Sequence, residues 1–183
     1  GKNLLRVGEK LTIKSLNKKF SKHKYEIIEN FNHKNLASLL SQDEIIAVAR
    51  EREEFGARAL GNRSIIANPS NYKIVQKINE SIKNRDFWMP FAASVLEKKA
   101  KEYFNFFGEI EKFKYMTNCA DTTYKGKKLL QAALHPYDQT CRPQILKKNT
   151  NILYEDLLNK FGKISGVYGL LNTSFNLHGY PIV

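Results

Sequence analysis

Residues 54–69, with the sequence EFGARALGNRSIIANP, combine glycine, arginine, amide and hydroxyl groups between two apolar runs. Gly56 and Gly61 allow the backbone to bend and to approach a ligand without hindrance from a Cβ atom. Arg58 and Arg63 carry planar guanidinium groups that can donate paired hydrogen bonds to phosphate or carboxylate oxygens. The stretch predicts an anion-binding loop, although an ordinary basic surface loop fits the same residues and no common phosphate-loop spacing is matched.

A second polar group follows an apolar run at residues 172–176, with the sequence NTSFN. Side chains alternate along an extended chain, so Ser174 and Asn176 are expected on the same side, where hydroxyl and amide can bind phosphate or sugar oxygens. Between the two polar stretches, Lys83 and Arg85 end a predicted helix. From their position alone, these two cations need do no more than complement the negative end of the helix dipole.

The segment HPYDQTC is a third candidate, because it places His135, Asp138 and Thr140 close together in sequence. A carboxylate can hold a histidine in one tautomer and tune its pKa for proton transfer. The same residues are typical of a turn, which is the interpretation that the residues alone favour. A metal site would need more ligands than these, so we expect no metal bound by the side chains of this chain alone.

Predicted strands and helices alternate between these candidates, which favours an open α/β sheet whose strands run into ligand-binding loops. Short runs rich in apolar and β-branched residues predict strands over 44–49, 64–67, 92–96, 114–120, 129–134, 142–146 and 167–171. Helical periodicity predicts helices over 35–41, 72–84, 97–107 and 151–161, the last ended by Gly162. Residues 24–31 suit an edge strand, and residues 1–24 suit an irregular lead-in.

Charge and composition limit the partners and the compartment. The net charge of +12 favours anions such as nucleotides, phosphorylated metabolites or nucleic acid. Two cysteines without C-x-x-C spacing do not suit a disulfide scaffold or a zinc knuckle, which indicates a reducing, cytoplasmic setting. No apolar run reaches the roughly 18 residues of a membrane span, so no membrane partner is expected.

The chain starts without Met and stops at the beginning of a strand-like run, which predicts an excised fragment.

Together, these stretches resemble the NodU/CmcH/TobZ carbamoyltransferases. Residues 54–69 are similar to the signature E-F-G-P-R-A-L-G-N-R-S-I-L-A-x-P, and LNTSFNLHGYPIV is similar to L-N-T-S-F-N-x-x-G-E-P-I-V. Residues 83–95 resemble K-x-R…R-P-F-A-P-S-V, and residues 135–144 resemble H-x-D-G-T-x-R-x-Q. The departures include Ala57 for proline, Met89 for arginine and Tyr180 for glutamate, with Gln139 for glycine in a loop that is one residue longer.

The resemblance implies that residues 25–183 form a C-terminal YrdC-like domain, an open twisted mixed α/β sheet with helices packed on it. Residues 1–24 would then be a linker from a missing N-terminal actin-like domain. The YrdC-like domain would bind carbamoyl phosphate and ATP with Mg²⁺ and form a carbamoyl-adenylate. The actin-like domain would transfer the carbamoyl group to a hydroxyl of a small-molecule or sugar acceptor, and the family's iron would belong to that domain.

The K-x-R and S-x-N motifs of the YrdC-like fold also assign roles to residues. They fall on Lys83, Arg85, Ser174 and Asn176 and imply that Lys83 and Arg85 act in catalysis. His135 is a separate catalytic candidate, in a polar or proton-transfer role. We expect the two motifs to share one cavity with the arginines of the glycine-rich loop. The residues implied to bind ATP and carbamoyl phosphate are Arg58, Asn62, Arg63, Ser64, Arg142, Thr173, Ser174 and Asn176.

Two alternatives stay open. One is a YrdC-like RNA- or nucleotide-binding module without transferase activity, which the net charge of +12 suits electrostatically. The other is a structural domain that has lost its activity through the departures from the family pattern. Nucleic acid is the less expected partner, because the basic residues lie in short motifs suited to phosphates rather than among exposed aromatic residues.

Overall fold

A five-stranded mixed sheet with helices packed on it positions the candidate residues. The computed structural model describes residues 31–84, 86 and 89–183, together with residues 6, 7 and 28. Arg85 therefore lies outside the described residues, and so do most of the lead-in predicted for 1–24 and of the edge strand predicted for 24–31.

Strands and helices alternate along the chain, as the sequence predicts. The strands are β1 (Arg6–Val7), β2 (Ile46–Ala49), β3 (Glu53–Glu54), β4 (Arg63–Ala67), β5 (Ala92–Leu96), β6 (Phe104–Asn105), β7 (Asp121–Thr122), β8 (Gln144–Leu146) and β9 (Gly169–Ser174). The α-helices are α1 (His33–Ser41), α2 (Lys73–Ile78), α3 (Glu97–Tyr103), α4 (Tyr124–Leu129) and α5 (Ile152–Ser165). A π-helical turn covers Asn79–Lys83, and 3-10 turns cover Ile110–Phe113 and Gln131–Ala133.

The central sheet has the strand order β2-β4-β9-β5-β8. Neighbouring strands are antiparallel except for β5 and β8, which are parallel. Strand β9 is in the middle, and its register pairs Ser174 with Ser64 and Asn172 with Ala92. The end of the glycine-rich loop and the NTSFN segment are therefore neighbours in the sheet. Two-stranded ladders join β1 to β3 and β6 to β7.

Helix α5 packs on β5 and β9 and holds α1 against its outer side. The side chain of Asn151 caps its first turn by accepting a hydrogen bond from the backbone N–H of Tyr154. A 2.7 Å contact between His33 Nδ1 and Asp156 Oδ2 joins α1 to α5. The face that α5 buries is the one that its periodicity predicts: Tyr154, Leu157, Leu158 and Phe161.

The predicted end of this helix at Gly162 is wrong. The helix continues to Ser165, and Gly166 ends it with a left-handed φ of 77°. A Cβ atom on Gly162 would lie 2.3 Å from the ring of Tyr168, so this glycine allows the close approach of that ring instead of stopping the helix.

The helix predicted over 72–84 ends in a wider turn than its periodicity indicates. Helix α2 continues into the π-helical turn, where the backbone N–H of Asn84 donates to the carbonyl of Asn79 at 2.6 Å. Asn84 then leaves the helix with a left-handed φ of 43°. The turn buries Lys83, whose exposed fraction is 2%, and π-helical turns of this kind are frequent at functional sites.

Three of the predicted segments have other structures. In 114–120, only Ala120 pairs, in an isolated bridge with Cys141. The segment 129–134 contains the end of α4 and a 3-10 turn instead of a strand, and the helix predicted over 97–107 ends at Tyr103 and is followed by β6. Periodicity does not separate a short buried strand from a buried helical segment, since both are continuous apolar runs.

The glycine-rich loop rests on α5 at Gly61, which gives a testable prediction. Gly61 has a φ of 114°, and a Cβ atom there would lie 2.4 Å from the Tyr154 ring, whereas Gly56, at φ 108°, has nothing within 4 Å. We expect Gly56→Ala to lower the free energy of unfolding by about 1 kcal/mol through its positive φ. Gly61→Ala should lower it by about 2–4 kcal/mol, because overpacking adds to that cost. Urea unfolding measures both, and equal losses would contradict this packing.

Candidate functional site

The buried ammonium of Lys83 joins the K-x-R and S-x-N motifs. Its Nζ atom donates to Oδ1 and the carbonyl of Asn176 at 2.7 and 2.8 Å. It also contacts the carbonyl and Oγ of Ser174 at 2.5 and 3.3 Å. All four oxygens are uncharged acceptors that solvate the ammonium. The two motifs thus bring a positive charge to the end of β9.

Two cavities meet at this point and share Ala57 and Ser174. The first, which we call the arginine cavity, has a volume of about 100 Å³. Its polar lining consists of Arg58, Arg142, Asn172, Thr173 and Ser174. The second, which we call the outer cavity, has a volume of about 390 Å³ and is lined by residues that include Glu53, Gly56, Ser174, Asn176 and Tyr180. Ser174 therefore lies where a ligand in one cavity would meet a ligand in the other.

Arg63 does not join Arg58 in this arrangement. Its guanidinium is buried and donates to the backbone carbonyls of Arg50 at 2.7 Å, Glu51 at 3.1 Å and Asn62 at 3.2 Å. Arg63 lines neither cavity, whereas the exposed Arg58 lines the arginine cavity. Of the two arginines, Arg58 alone shares a cavity with Ser174, and that cavity does not include Lys83 or Asn176. The contacts of Arg63 tie its loop to residues 50 and 51.

Glu54 shapes the same loop, and we did not anticipate this role from the sequence. Its carboxylate accepts hydrogen bonds from the backbone N–H groups of Leu60 at 2.9 Å, Asn62 at 2.6 Å and Arg63 at 3.2 Å. Three backbone donors that converge on one carboxylate form a tight anchor for the loop. The sequence feature that points to this role is Glu54 itself, an acidic residue at the start of a basic, glycine-rich stretch.

The predicted ligands Asn62 and Ser64 also make contacts within the protein. Asn62 Nδ2 donates to the carbonyl of Arg52 at 2.7 Å, and Ser64 Oγ accepts from the N–H of Gly61 at 3.0 Å. Asn62 lines a separate cavity of about 150 Å³, which also includes Lys147. Both side chains are buried, and neither lines the arginine cavity or the outer cavity.

The segment that contains His135 forms a turn, and His135 lies outside both cavities. The Asp138 carboxylate accepts from the N–H and the hydroxyl of Thr140, both at 2.9 Å, and these hydrogen bonds lower the pKa of Asp138. His135 Nδ1 lies 3.3 Å from Asp138 Oδ1, but it is not aligned for a hydrogen bond, so the short distance does not fix the tautomer. His135 lines neither cavity, whereas Arg142, at the end of the same motif, lines the arginine cavity.

Two departures from the family pattern lie at the cavities. Ala57 lines both of them, and Tyr180 lines the outer cavity. Asn176 Nδ2 donates to the backbone carbonyl of Tyr180 at 2.6 Å. Because this contact uses the main chain, a different side chain at position 180 leaves it possible.

The residues that the structure describes include no group of three or more His, Cys, Asp or Glu side chains that could hold a metal ion. Among the same residues, no helix is both long and apolar enough to cross a membrane.

Comparisons with known proteins identify relatives of the chain. A family model described as "Carbamoyltransferase C-terminus" matches residues 37–183. Over 147 residues, or 80% of the chain, the identity is 41% to "Uncharacterized protein MJ1058" of Methanocaldococcus jannaschii. It is 40% over 147 residues, again 80% of the chain, to "Nodulation protein NolNO" of Sinorhizobium fredii. The matches cover 24% and 22% of these proteins, so the chain spans about a quarter of their length.

A solved structure also resembles the fold. Full-length HypF, in a phosphate- and nucleotide-bound form, superposes with a TM-score of 0.59 and 15% sequence identity, over 86% of this chain and 19% of that chain. At this identity the likeness shows the fold alone. The predicted YrdC-like mixed α/β fold is thereby confirmed.

The different environments of Arg63 and Arg58 predict different effects on stability. Arg63→Ala should lower the free energy of unfolding by about 3 kcal/mol, because it leaves carbonyls in the loop without their charged donor. Arg58→Ala should change it by no more than about 0.5 kcal/mol, because the side chain is exposed. Urea unfolding of both variants tests this, and equal destabilisation would show that the two arginines have similar roles.

Proposed function

The chain belongs to the carbamoyltransferase C-terminus family, and on that premise we propose that it binds ATP and carbamoyl phosphate and forms a carbamoyl-adenylate. The observation that carries the proposal is the meeting of Lys83 with Ser174 and Asn176 at the junction of two cavities. A reaction that joins two anionic substrates needs adjacent sites and a cation between them.

The arginine cavity suits the smaller substrate. Its volume of about 100 Å³ is small, and Arg58 and Arg142 supply two permanent positive charges for a phosphate group. The Thr173 hydroxyl can also donate to a phosphate oxygen, whereas the Ser174 hydroxyl donates to Asn176 Oδ1 at 2.5 Å. We therefore assign carbamoyl phosphate to this cavity.

We assign the nucleotide to the outer cavity because of its size; the lining also includes the carboxylates of Glu53 and Glu54. Its volume of about 390 Å³ falls in the range of small-molecule binding sites. Bound there, ATP would bring its α-phosphate close to Ser174, Asn176 and the Lys83 ammonium behind them. Mg²⁺ enters this scheme as part of the MgATP substrate.

The proposed reaction has two steps. Water breaks the P–O bond of carbamoyl phosphate at phosphorus, which releases inorganic phosphate and leaves carbamate. A carbamate oxygen then bonds to the α-phosphorus of ATP, and the bond from that phosphorus to the bridging oxygen breaks, so pyrophosphate leaves. Lys83, Arg58 and Arg142 stabilise the negative charge that gathers during both steps, while the cavities hold the reacting groups in place.

The remaining predicted parts complete the proposal. Arg85, in the K-x-R motif, would add a further cation beside Lys83. No step is assigned to His135, because it lines neither cavity. Transfer to a hydroxyl of a small-molecule or sugar acceptor, and the binding of iron, would belong to an N-terminal actin-like domain of a longer protein.

Arg58 offers a binding test with a matched control. We expect Arg58→Ala to raise the Kd for carbamoyl phosphate about ten- to hundredfold, because a charge-assisted hydrogen bond is lost. Arg52→Ala should have no effect, because Arg52 is exposed beside the same loop and lines neither cavity. Isothermal titration calorimetry of the purified chain measures both constants. The proposal is rejected if either carbamoyl phosphate or MgATP fails to bind, or if RNA binds instead with a steep salt dependence.

Lys83 provides a second test. Lys83→Met should weaken MgATP binding at least about tenfold, because the positive charge at the junction is lost. Lys77→Met is the control, since Lys77 lies exposed on the preceding helix and lines neither cavity. Circular dichroism confirms that both variants are folded before titration. Unchanged nucleotide affinity in a folded Lys83→Met variant would contradict the assigned role.

A further inference from the structure

Asn172 carries a buried acceptor with no hydrogen-bond partner among the described residues. The residue lies in the middle of the central sheet and lines the arginine cavity. Only 1% of its surface is exposed, yet its Oδ1 atom accepts no hydrogen bond from the part of the chain that the structure describes. Buried polar groups are nearly always paired, so an acceptor left open beside a cavity indicates a ligand that donates.

The orientation of this amide is fixed by its donors. Asn172 Nδ2 donates to the carbonyl of Ala59 at 3.1 Å and to Ser94 Oγ at 2.9 Å. The Ser94 hydroxyl in turn donates to Gln144 Oε1 at 2.6 Å, and Gln144 Nε2 donates to the carbonyl of Leu60 at 2.9 Å. Backbone carbonyls only accept, so both amides must present their NH₂ groups to them. Oδ1 is therefore the atom of Asn172 that remains to accept from a ligand.

Asn172 Oδ1 differs in this respect from the two arginines of the cavity. Arg58 and Arg142 only donate hydrogen bonds. The Thr173 hydroxyl lies in the same cavity, where its proton suits a phosphate oxygen, whereas the Ser174 hydroxyl donates to Asn176 Oδ1 at 2.5 Å. An ionised phosphate has no proton to donate, so Oδ1 must pair with a different part of the ligand, and that part must carry an N–H or O–H group.

We propose that Asn172 Oδ1 accepts a hydrogen bond from the NH₂ group of the carbamoyl moiety and so selects carbamoyl phosphate over other acyl phosphates. This inference rests on the proposed function, which places carbamoyl phosphate in the arginine cavity. Acetyl phosphate carries a methyl group of similar size in place of the NH₂ group, and it would leave Oδ1 unpaired. A site that hydrogen-bonds a polar group discriminates strongly against an analogue that lacks it.

The first test compares ligands and requires no variant. Calorimetry gives the Kd of the purified chain for carbamoyl phosphate, acetyl phosphate and inorganic phosphate. We expect carbamoyl phosphate to bind at least about tenfold more tightly than acetyl phosphate. If the two acyl phosphates bind within about twofold of each other, the inference is overturned while the proposed function stands. If no carbamoyl phosphate binds, both fall.

The second test assigns the preference to Asn172. In Asn172→Ala, the ratio of the two dissociation constants should fall to within about twofold, because the acceptor is gone. Arg142→Ala is the matched control: it should weaken both acyl phosphates and leave their ratio unchanged, because Arg142 lines the same cavity and serves the phosphate. A folded Asn172→Ala chain that keeps the full preference overturns the inference. If that variant does not fold, the comparison of ligands on the unmodified chain decides.

Discussion

The hydrogen-bonded ammonium of Lys83 is the interaction on which the candidate site depends. It joins the end of a helix to the end of the central strand β9 through four oxygens of Ser174 and Asn176. A buried ammonium without such partners is strongly unfavourable, and removing partners from a buried charge costs about 3 kcal/mol or more. Two further features bring Lys83 to this place: the π-helical turn and the left-handed Asn84 that ends it. Helix geometry, strand register and charge are thus combined in one contact, and both cavities lie next to it.

Much of the fold could be predicted from local sequence patterns. Strand β5 has the predicted bounds, and β4 begins one residue earlier than predicted. Helix α5 buries the face that its periodicity predicts. The failures share a cause, which is that local patterns do not show what a residue packs against. Gly162 was predicted to stop a helix but allows the approach of Tyr168, and the apolar run 129–134 enters the core as helical turns. Both outcomes are determined by tertiary contacts.

The same limit applies to the site. The sequence motifs place Lys83, Ser174 and Asn176 in one group, and the structure brings these three residues together. In contrast, Arg58 and Arg63 occupy the same glycine-rich loop and carry the same group, but one lines a cavity and the other binds backbone carbonyls. The spacing of residues in the sequence does not distinguish the two arginines. The difference arises because the backbone carbonyls of residues 50 and 51 lie next to Arg63. The unpaired Oδ1 of Asn172 is likewise visible only once its neighbours are in place.

The account makes one chemical claim above the others: two anionic substrates meet at Ser174 and become joined through the α-phosphorus of ATP. The most direct measurement is the exchange of labelled pyrophosphate into ATP by the purified chain, because reversal of adenylate formation carries the label into the nucleotide. The account predicts exchange only when ATP and carbamoyl phosphate are both present. Exchange without carbamoyl phosphate, or no exchange when both substrates are bound, would contradict it.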